Sequence, residues 1–274
     1  MKTIVAATDF SDASLDAVNY AADLACLIQT DLLIVHVCAF PVVITAIPSY
    51  FTMEERLANA ADQIEKLKDA VMARTKGMLK ITTVVKQGDI TEQINECCIS
   101  QKTYAIVMGR TDMSVFERFI LGSRTVAAVK KLAYPVITVP AGVQLQTIKN
   151  VGIACDFRNI IETLPVQEIK ALFRELKATL HVLHVSNAAD DAFSSRTIEQ
   201  SAWFQELLGE LTPRYHFIKA PDADRAIIEL TGKLQLDLLI IIPKKHDMAD
   251  NLFTHSHSRQ LVLHAHVPVM SIHD

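Results

Sequence analysis

Residues Thr3–Phe10 read T-I-V-A-A-T-D-F, and the pattern returns at Asn150–Phe157 as N-V-G-I-A-C-D-F. Each stretch is an apolar run that ends in Asp-Phe, as expected for a buried strand that leaves its sheet through a turn. A second pair of similar segments follows in the same order: L-I-V-H-V at Leu33–Val37 matches H-V-L-H-V at His181–Val185. The chain therefore consists of two homologous halves in tandem.

Apolar runs of strand length alternate with stretches of helical periodicity in the first copy. We expect strands at Thr3–Ala7, Leu32–Val37, Ile81–Val85, Tyr104–Met108 and Tyr134–Val139. Helices are expected after Ser11, from Met53 to Val71 behind a Thr52/Glu55 capping box, after Asp89, and at Ser123–Leu132. The alternation predicts α/β architecture, with two tandem five-stranded parallel-sheet domains, each doubly wound. The expected domains are residues 1–143 and 147–274, joined by a short polar linker.

Composition excludes several classes of protein. The net charge of -4 argues against broad nucleic-acid binding, and no apolar run approaches the roughly 18 residues of a membrane span. The N-terminus enters a strand directly, without a signal-peptide pattern, which favours a cytoplasmic protein. Five cysteines without C-x-x-C spacing indicate reduced, buried thiols at Cys26, Cys38, Cys97, Cys98 and Cys155.

The loop after the fourth strand is the first candidate for a binding site. It begins M-G-R-T-D at Met108–Asp112 and closes with Gly122-Ser123 at the head of the predicted helix. Free loop amides and a helix N-terminus are suited to an anion such as a phosphate. Doubly wound sheets bind ligands beyond the carboxyl ends of their strands, where the winding reverses. We therefore expect the loops after strands one and four to form the site.

Two copies of a strand, an Asp-Phe turn, a helix and a strand ending in His-Val, together with this glycine loop, resemble a tandem universal stress protein. The resemblance covers nearly the whole chain. It implies a fold like that of the adenine-nucleotide α/β hydrolases, with the two halves packed as an internal pseudo-dimer through their fifth strands. A homodimer is left open as a further mode of assembly.

Members of that family that bind ATP carry G-x2-G-x9-G-[S/T] after strand four. Gly109 matches the first glycine, Gly122 and Ser123 match the final pair, and the nine-residue spacing is kept. Asp112 stands where the second glycine is expected. Two interpretations of Asp112 remain open: its carboxylate repels a triphosphate, or it helps to hold Mg2+ on the phosphates.

By this resemblance, ATP or AMP binds in the first copy. Asp9 takes the adenosine part, Val37 and the neighbouring backbone line the base pocket, and the loop after strand four surrounds ribose and phosphates. If the carboxylate of Asp112 repels the phosphates, Arg110 and Arg124 are the residues expected to offset its charge; the alternative is that Asp112 holds the metal. The full expected set is Ala7, Thr8, Asp9, Val37, Met108, Gly109, Asp112, Gly122, Ser123, Arg124 and Thr125. The residues alone also allow Asp9 to be only a helix cap and the loop to be only a connection.

The second copy departs from the pattern. Arg158 replaces the serine after Asp-Phe, and T-H-S-H-S at Thr254–Ser258 replaces Gly-Ser. No glycine occurs in Pro243–Asp274. We therefore predict that this half has lost the phosphate loop and serves as a packing partner.

Histidines near the C-terminus raise the question of a metal site. Six of the ten lie there, at His246, His255, His257, His264, His266 and His273. No cysteine accompanies them and their spacing fits loop and helix ends, so no metal is predicted, and an anion held with Lys244 and Lys245 is a second reading. His36 and His184, at matching strand positions, are interpreted as structural residues bonded to nearby backbone.

These observations favour a cytoplasmic stress-response protein of regulatory or binding type, with at most weak ATP hydrolysis. Its expected partner is an adenine nucleotide, with no nucleic acid and no membrane. One alternative is a nucleotide-independent interaction or scaffold module. Another is an ATP pyrophosphatase-type enzyme, which is disfavoured because Thr8–Ser11 lacks the S-G-G-x-D-S loop of such enzymes.

Overall fold

The strands and helices of a computed structural model of the chain fall into two compact units, Met1–Leu145 (unit 1) and Gln146–Asp274 (unit 2). The structure describes residues 2–39, 52–110, 132–155, 165–186, 195–243 and 257–272, without the side chains of 195–201, 257 and 259. Each unit contains five parallel strands with helices between them. This confirms the predicted fold class of two tandem five-stranded parallel α/β domains.

Unit 1 alternates strands and helices in the predicted order. Its elements are β1 (Thr3–Thr8), α1 (Asp12–Ile28), β2 (Asp31–Cys38), α2 (Met53–Arg74), β3 (Ile81–Gln87), α3 (Ile90–Ile99), β4 (Thr103–Arg110) and β5 (Val136–Pro140). The helix predicted at Ser123–Leu132 lies outside the described residues except for Leu132, which is buried.

The sheet of unit 1 reverses its winding between β1 and β4. Its strand order is β3-β2-β1-β4-β5, and all the described pairs are parallel. The chain moves outward from β1 to β3 and then returns to the other side of β1. Ala7 is consequently in register with Val35 of β2 on one side and with Met108 of β4 on the other. The carboxyl ends of β1 and β4 therefore flank the switch point.

Unit 2 repeats this topology. Its elements are β6 (Asn150–Ala154), α4 (Val166–Leu176), β7 (Thr179–Ser186), α5 (Ser195–Leu208), β8 (Arg214–Lys219), α6 (Ala223–Lys233), β9 (Leu238–Ile241), α7 (His257–His264) and β10 (Val269–Ser271). The strand order β8-β7-β6-β9-β10 matches that of unit 1 strand for strand. The repeated sequence segments therefore form equivalent strands in the two units.

Burial on both faces explains why the strands read as apolar runs. All six residues of β1 are buried, and so are all four of β9. Helix α2 shows the opposite pattern, because one stripe packs on the sheet and the rest faces solvent. The six apolar positions predicted for that stripe are buried or half-buried: Met53, Leu57, Ala60, Ile64, Leu67 and Val71.

Two predicted helix starts have the expected hydrogen bonds. Thr52 accepts a bond from the N–H of Glu55 at 3.2 Å, and the Glu55 carboxylate accepts one from the N–H of Thr52 at 2.8 Å. Asp89 begins α3 by accepting bonds from the N–H groups of Thr91 and Glu92 at 2.9 and 3.1 Å. Such caps satisfy amides that the first turn leaves free.

The predicted start of β5 was two residues too early. The strand begins at Val136 rather than Tyr134, because Pro135 has no N–H to give to the ladder. Its carbonyl still accepts a hydrogen bond from Ile106 of β4 at 2.8 Å. Each of β1 to β4 continues one or two residues beyond its predicted carboxyl-terminal end, and β2 and β4 also begin one residue earlier than predicted.

Candidate functional site

The candidate site lies where β1 and β4 end side by side. Ala7 and Met108 are paired in register, so the residues that follow them emerge at the same edge of the sheet. Beyond β1 the chain continues as Asp9-Phe10-Ser11 into α1, and β4 ends with Gly109-Arg110. The structure therefore brings Asp9 and Gly109, both predicted from sequence, to the switch point, where folds of this class bind ligands.

Asp9 is held in a tight turn after β1. Its Oδ1 atom accepts hydrogen bonds from the N–H of Ser11 at 3.1 Å and from the Oγ of Ser11 at 2.5 Å. Partial burial acts to raise the pKa of Asp9, but the hydrogen bonds from Ser11, Ser14 and the backbone together outweigh it and hold that pKa below the ordinary value. The two bonds from Ser11 go to Oδ1, and the Asp9 residue remains partly exposed to solvent. An ionised carboxylate is therefore accessible at the switch point.

The alternative interpretation of Asp9 as a cap of the first helix does not hold. The N-cap is Ser11, which has extended backbone angles and accepts a bond from the N–H of Ser14 at 3.4 Å. The cap must directly precede the first helical residue, Asp12, whereas Asp9 lies three residues earlier and bonds within its own turn. The carboxylate of Asp9 is therefore free of a capping role.

Phe10 has an unusual backbone conformation. Its φ of 65° lies in the left-handed region, which costs a bulky L-residue about 1–2 kcal/mol. The N–H of Phe10 donates to Oγ1 of Thr8 at 3.0 Å, and that hydroxyl also bonds Oγ of Ser14 at 3.0 Å. The Phe10 ring stacks on His36, with centroids 4.5 Å apart. Contacts from three elements thus hold this turn.

His36 and His184 have the structural role predicted for them. Nδ1 of His36 lies 2.8 Å from the carbonyl oxygen of Thr8, and Nδ1 of His184 lies 3.0 Å from that of Cys155. A carbonyl oxygen only accepts, so Nδ1 carries the proton in both residues. Each histidine therefore ties the second strand of its unit to the end of the first.

Gly109 is a glycine for a reason that the sequence did not reveal. A Cβ atom at this position would lie 2.4 Å from the carbonyl oxygen of Ala13 and 2.9 Å from Cα of Ser14. The backbone of α1 therefore occupies the side of Gly109 on which a side chain would lie. Packing of α1 on β4 is therefore sufficient to require glycine here.

Ala7, Thr8 and Val37, expected around the base, and Met108, expected near the ribose, differ in what they can offer a ligand. The side chains of Ala7 and Met108 are 7% and 6% exposed and belong to the core beneath the site. Thr8 is buried and its hydroxyl is bonded within the turn. Val37 is only half-buried and packs at the edge of the same core. Of these four residues, Val37 alone has an apolar side chain open to a base.

The remaining predicted residues lie outside the described part of the chain: Asp112, Gly122, Ser123, Arg124 and Thr125. Arg110, expected to offset the charge of Asp112, ends β4 and is 5% exposed. The carbonyl of Arg110 accepts a bond from the N–H of Ala141 at 3.2 Å. The structure thus places a buried arginine at the carboxyl end of β4.

Sequence reasoning missed Ser14 as part of the site. Its Oγ accepts a bond from the N–H of Asp9 at 3.3 Å and donates one to the carbonyl of Ser11 at 2.9 Å. The spacing Ser11-x-x-Ser14, directly after Asp-Phe, was the available signal. Arg158 replaces the first of these serines in the second copy, and Asp156 there lies outside the described ranges.

A histidine pair in unit 2 was also missed. Nδ1 of His181 lies 3.0 Å from Nε2 of His216, and the rings stack with centroids 5.2 Å apart. The two residues are neighbours because β7 pairs with β8. Within the described ranges, no three His, Cys, Asp or Glu side chains come together as a metal site requires. His246, His255 and His273 fall beyond those ranges.

Cysteines and helices give two further results. As expected, Cys38, Cys97, Cys98 and Cys155 are buried and form no disulfide, whereas Cys26 is partly exposed on α1. Within the described ranges, no helix is both long enough and apolar enough to cross a bilayer.

Comparison with known proteins agrees with the tandem repeat. A model of the universal stress protein family matches residues 1–140 and again residues 148–273. A universal stress protein of Methanocaldococcus jannaschii is 32% identical over 141 residues, which cover 50% of this chain and 81% of that protein.

Solved structures resemble the whole chain. A universal stress protein from Archaeoglobus fulgidus superposes with a TM-score of 0.73 at 17% identity, covering 99% of this chain and 96% of its own. A protein of unknown function from Pseudomonas aeruginosa has a TM-score of 0.61 at 14% identity, covering 99% of this chain and 92% of its own. At these identities the likeness shows the fold.

Proposed function

Since this chain belongs to the universal stress protein family, we propose that unit 1 binds an adenine nucleotide, ATP or AMP, and that the protein is a regulatory binding protein of the stress response. One observation carries the proposal. Asp9 presents an ionised carboxylate at the switch point of the sheet, beside the end of β4. In dinucleotide-binding α/β folds, a carboxylate accepts a hydrogen bond from a ribose hydroxyl, and the ligand lies at the switch point of the sheet.

In this proposal, different residues near Asp9 contact different parts of the nucleotide. Oδ2 of Asp9 accepts from the adenosine hydroxyls, and Val37 contacts the base while Ala7 and Thr8 contribute backbone groups. Met108 and Gly109 contribute backbone next to the ribose. The phosphates are assigned to Gly122, Ser123, Arg124 and Thr125. Backbone amides at a helix start provide the anion site.

We assign this protein a binding role rather than a catalytic one, with at most weak ATP hydrolysis. Within the described part of the site, the hydroxyls of Thr8, Ser11 and Ser14 are engaged in the turn. Because these hydroxyls form structural hydrogen bonds, we assign none of them as a nucleophile. We place the protein in the cytoplasm, with unit 2 as a partner domain whose phosphate loop is degenerate, and with domain limits at residues 1–143 and 147–274.

Calorimetric titration of the full chain with ATP and with AMP, each with and without Mg2+, tests the proposal. We expect ATP to bind the wild-type protein and Asp9→Ala to weaken it at least tenfold, as expected for loss of hydrogen bonds to a charged group. Asp156→Ala, at the matching position of the second copy, is the control and should bind as wild type. Absence of both heat and thermal shift at millimolar nucleotide would contradict the proposal.

Asp112 is tested in the same titrations. If its carboxylate repels phosphate, Asp112→Gly tightens ATP binding in the absence of Mg2+. If it helps to hold the metal, the variant weakens binding only when Mg2+ is present. AMP, which has a single phosphate, should respond less than ATP in either case.

A nucleotide-independent scaffold is the second candidate function, and the Gly109 geometry favours it. Because α1 packing already requires glycine there, that residue by itself does not point to a phosphate. A wild-type chain that fails to bind either nucleotide, yet folds cooperatively, would favour this candidate.

A further inference from the structure

His36 contacts the residues on both sides of Asp9. Its Nδ1–H donates to the carbonyl oxygen of Thr8 at 2.8 Å. Its ring stacks on Phe10 at 4.5 Å between centroids, with 27° between the ring planes. Asp9 lies between these two residues in sequence, at the tip of the turn. From this arrangement we propose that His36 is a positioning residue, which holds the Asp9 carboxylate ready for the adenosine hydroxyls without touching them.

The strained backbone of Phe10 makes this support necessary. A phenylalanine at φ 65° persists only where its surroundings hold it. The peptide between Phe10 and Ser11 carries the N–H that Asp9 Oδ1 accepts at 3.1 Å. If Phe10 relaxes to a negative φ, this peptide rotates and the bond from Ser11 to Asp9 is lost. The stack on His36 therefore stabilises the orientation of Asp9 through its neighbour.

Unit 2 supplies a matched comparison. His184 makes the same imidazole-to-carbonyl bond, to Cys155 at 3.0 Å, but its ring meets Phe217 of β8 edge-on at 5.9 Å. Replacing His184 removes a hydrogen bond of the same kind from the equivalent strand pair. It leaves Thr8, Asp9 and Phe10 unchanged. His184→Phe is therefore the control for any general effect on stability.

Two variants separate the two contacts of His36. His36→Phe keeps an aromatic ring to stack on Phe10 but has no donor for the Thr8 carbonyl. His36→Asn keeps an N–H close to the position of Nδ1 but has no ring. The first readout is the pKa of Asp9, followed by 13C NMR of the side-chain carboxyl in full-length protein. It requires no nucleotide.

We expect both His36 variants to raise the pKa of Asp9 toward the ordinary value of an aspartate, because the bonds from Ser11 loosen. His184→Phe should leave that pKa unchanged. If the pKa of Asp9 is the same in wild type and in both folded His36 variants, the positioning role is wrong.

The second readout is ATP affinity, and this part rests on the proposed function. We expect His36→Phe to bind ATP about fivefold more weakly, the effect of one neutral hydrogen bond, and His184→Phe to bind as wild type. In an Asp9→Ala background the His36 change should have no further effect, since it acts through Asp9. Full additivity in this double-mutant cycle would overturn the inference. If wild-type protein gives no heat with ATP, the nucleotide proposal fails, whereas the Asp9 titration still decides the role of His36.

Discussion

The backbones of Gly109 in β4 and Ala13 in α1 lie in direct contact. A Cβ atom added to Gly109 would be only 2.4 Å from the Ala13 carbonyl oxygen. The neighbouring atoms are backbone and cannot swing aside as a side chain can. Gly109→Ala should therefore push α1 away from the sheet and lower the free energy of unfolding by about 1–3 kcal/mol. Urea denaturation followed by circular dichroism measures this.

Gly232 provides the control for that substitution. It is exposed on α6, and no described atom outside its own helix lies within 4 Å of the position of an added Cβ. Gly232→Ala should stabilise the protein by about 0.4–1 kcal/mol through the reduced entropy of the unfolded chain. If Gly109→Ala is as stable as wild type, the packing explanation for this glycine is wrong.

The histidine tautomers follow from the carbonyl acceptors. His36 and His184 should both be protonated at Nδ1 when neutral, because each Nδ1 faces a carbonyl oxygen at 2.8 and 3.0 Å. Long-range 1H–15N correlation spectra at pH 8 distinguish the two tautomers directly. Exposed histidines such as His266 serve as the reference for an unconstrained ring. Nε2-protonated rings at His36 and His184 would contradict the hydrogen bonds described above.

The His181–His216 pair should make unfolding depend on pH. His181 is 4% exposed and its Nε2 has no partner among the described residues. Because a buried N–H without an acceptor is less favourable than a buried lone pair, we assign the proton of His181 to Nδ1, which then donates to Nε2 of His216. Burial lowers the pKa of both histidines, and the charge of Arg214 adds to the effect. Protonating His216 at Nε2 removes the acceptor of this bond.

The direction of the pH effect follows from these lowered pKa values. Below the ordinary histidine pKa of about 6.5, the unfolded chain binds protons that the folded chain does not. The contribution to stability is therefore complete at pH 8 and is lost as the pH falls below about 6.5. Urea midpoints at pH 8 and pH 5.5 should differ more for wild type than for a His181→Leu/His216→Gln variant. If the midpoint changes equally with pH in wild type and in the variant, the His181–His216 pair is not the source of the pH dependence.

Burial should order the reactivity of the thiols. Burial raises the pKa of Cys98 to about 11, and this side chain is fully buried, whereas Cys26 is partly exposed. At pH 8, iodoacetamide should therefore modify Cys26 first and Cys98 last, because the thiolate is the reactive form. Mass spectrometry of timed samples measures this order, and all five cysteines should react in urea. Rapid labelling of Cys98 in folded protein would disagree with its burial.

Much of the fold was predictable because its signals are local. Apolar runs that alternate with helical stripes identified β1, β2 and α2, and the Thr52/Glu55 pair identified the start of α2. A capping box is recognisable in sequence because its two partners lie three residues apart. The start of β5 was harder to predict from sequence. Tyr134 and Pro135 continue the apolar run, but the strand begins only at Val136.

The site was predictable only in outline. The repeat and the glycine spacing indicated Asp9 and Gly109, and the structure places both at the switch point. The hydrogen bonds that hold Asp9 were less evident, because the capping role fell to Ser11 and the second serine, Ser14, was overlooked. These bonds depend on how the chain turns between β1 and α1, which residue type alone leaves open.

The amino-acid sequence by itself determined the tandem repeat, the α/β alternation and the place of the candidate site, because periodicity and turn residues act over a few positions. Only the tertiary structure decided which distant residues meet. Gly109 meets Ala13 because α1 lies against β4, and His181 meets His216 across 35 positions because β7 and β8 are neighbours. Such contacts depend on strand order and helix packing, which are properties of the assembled sheet.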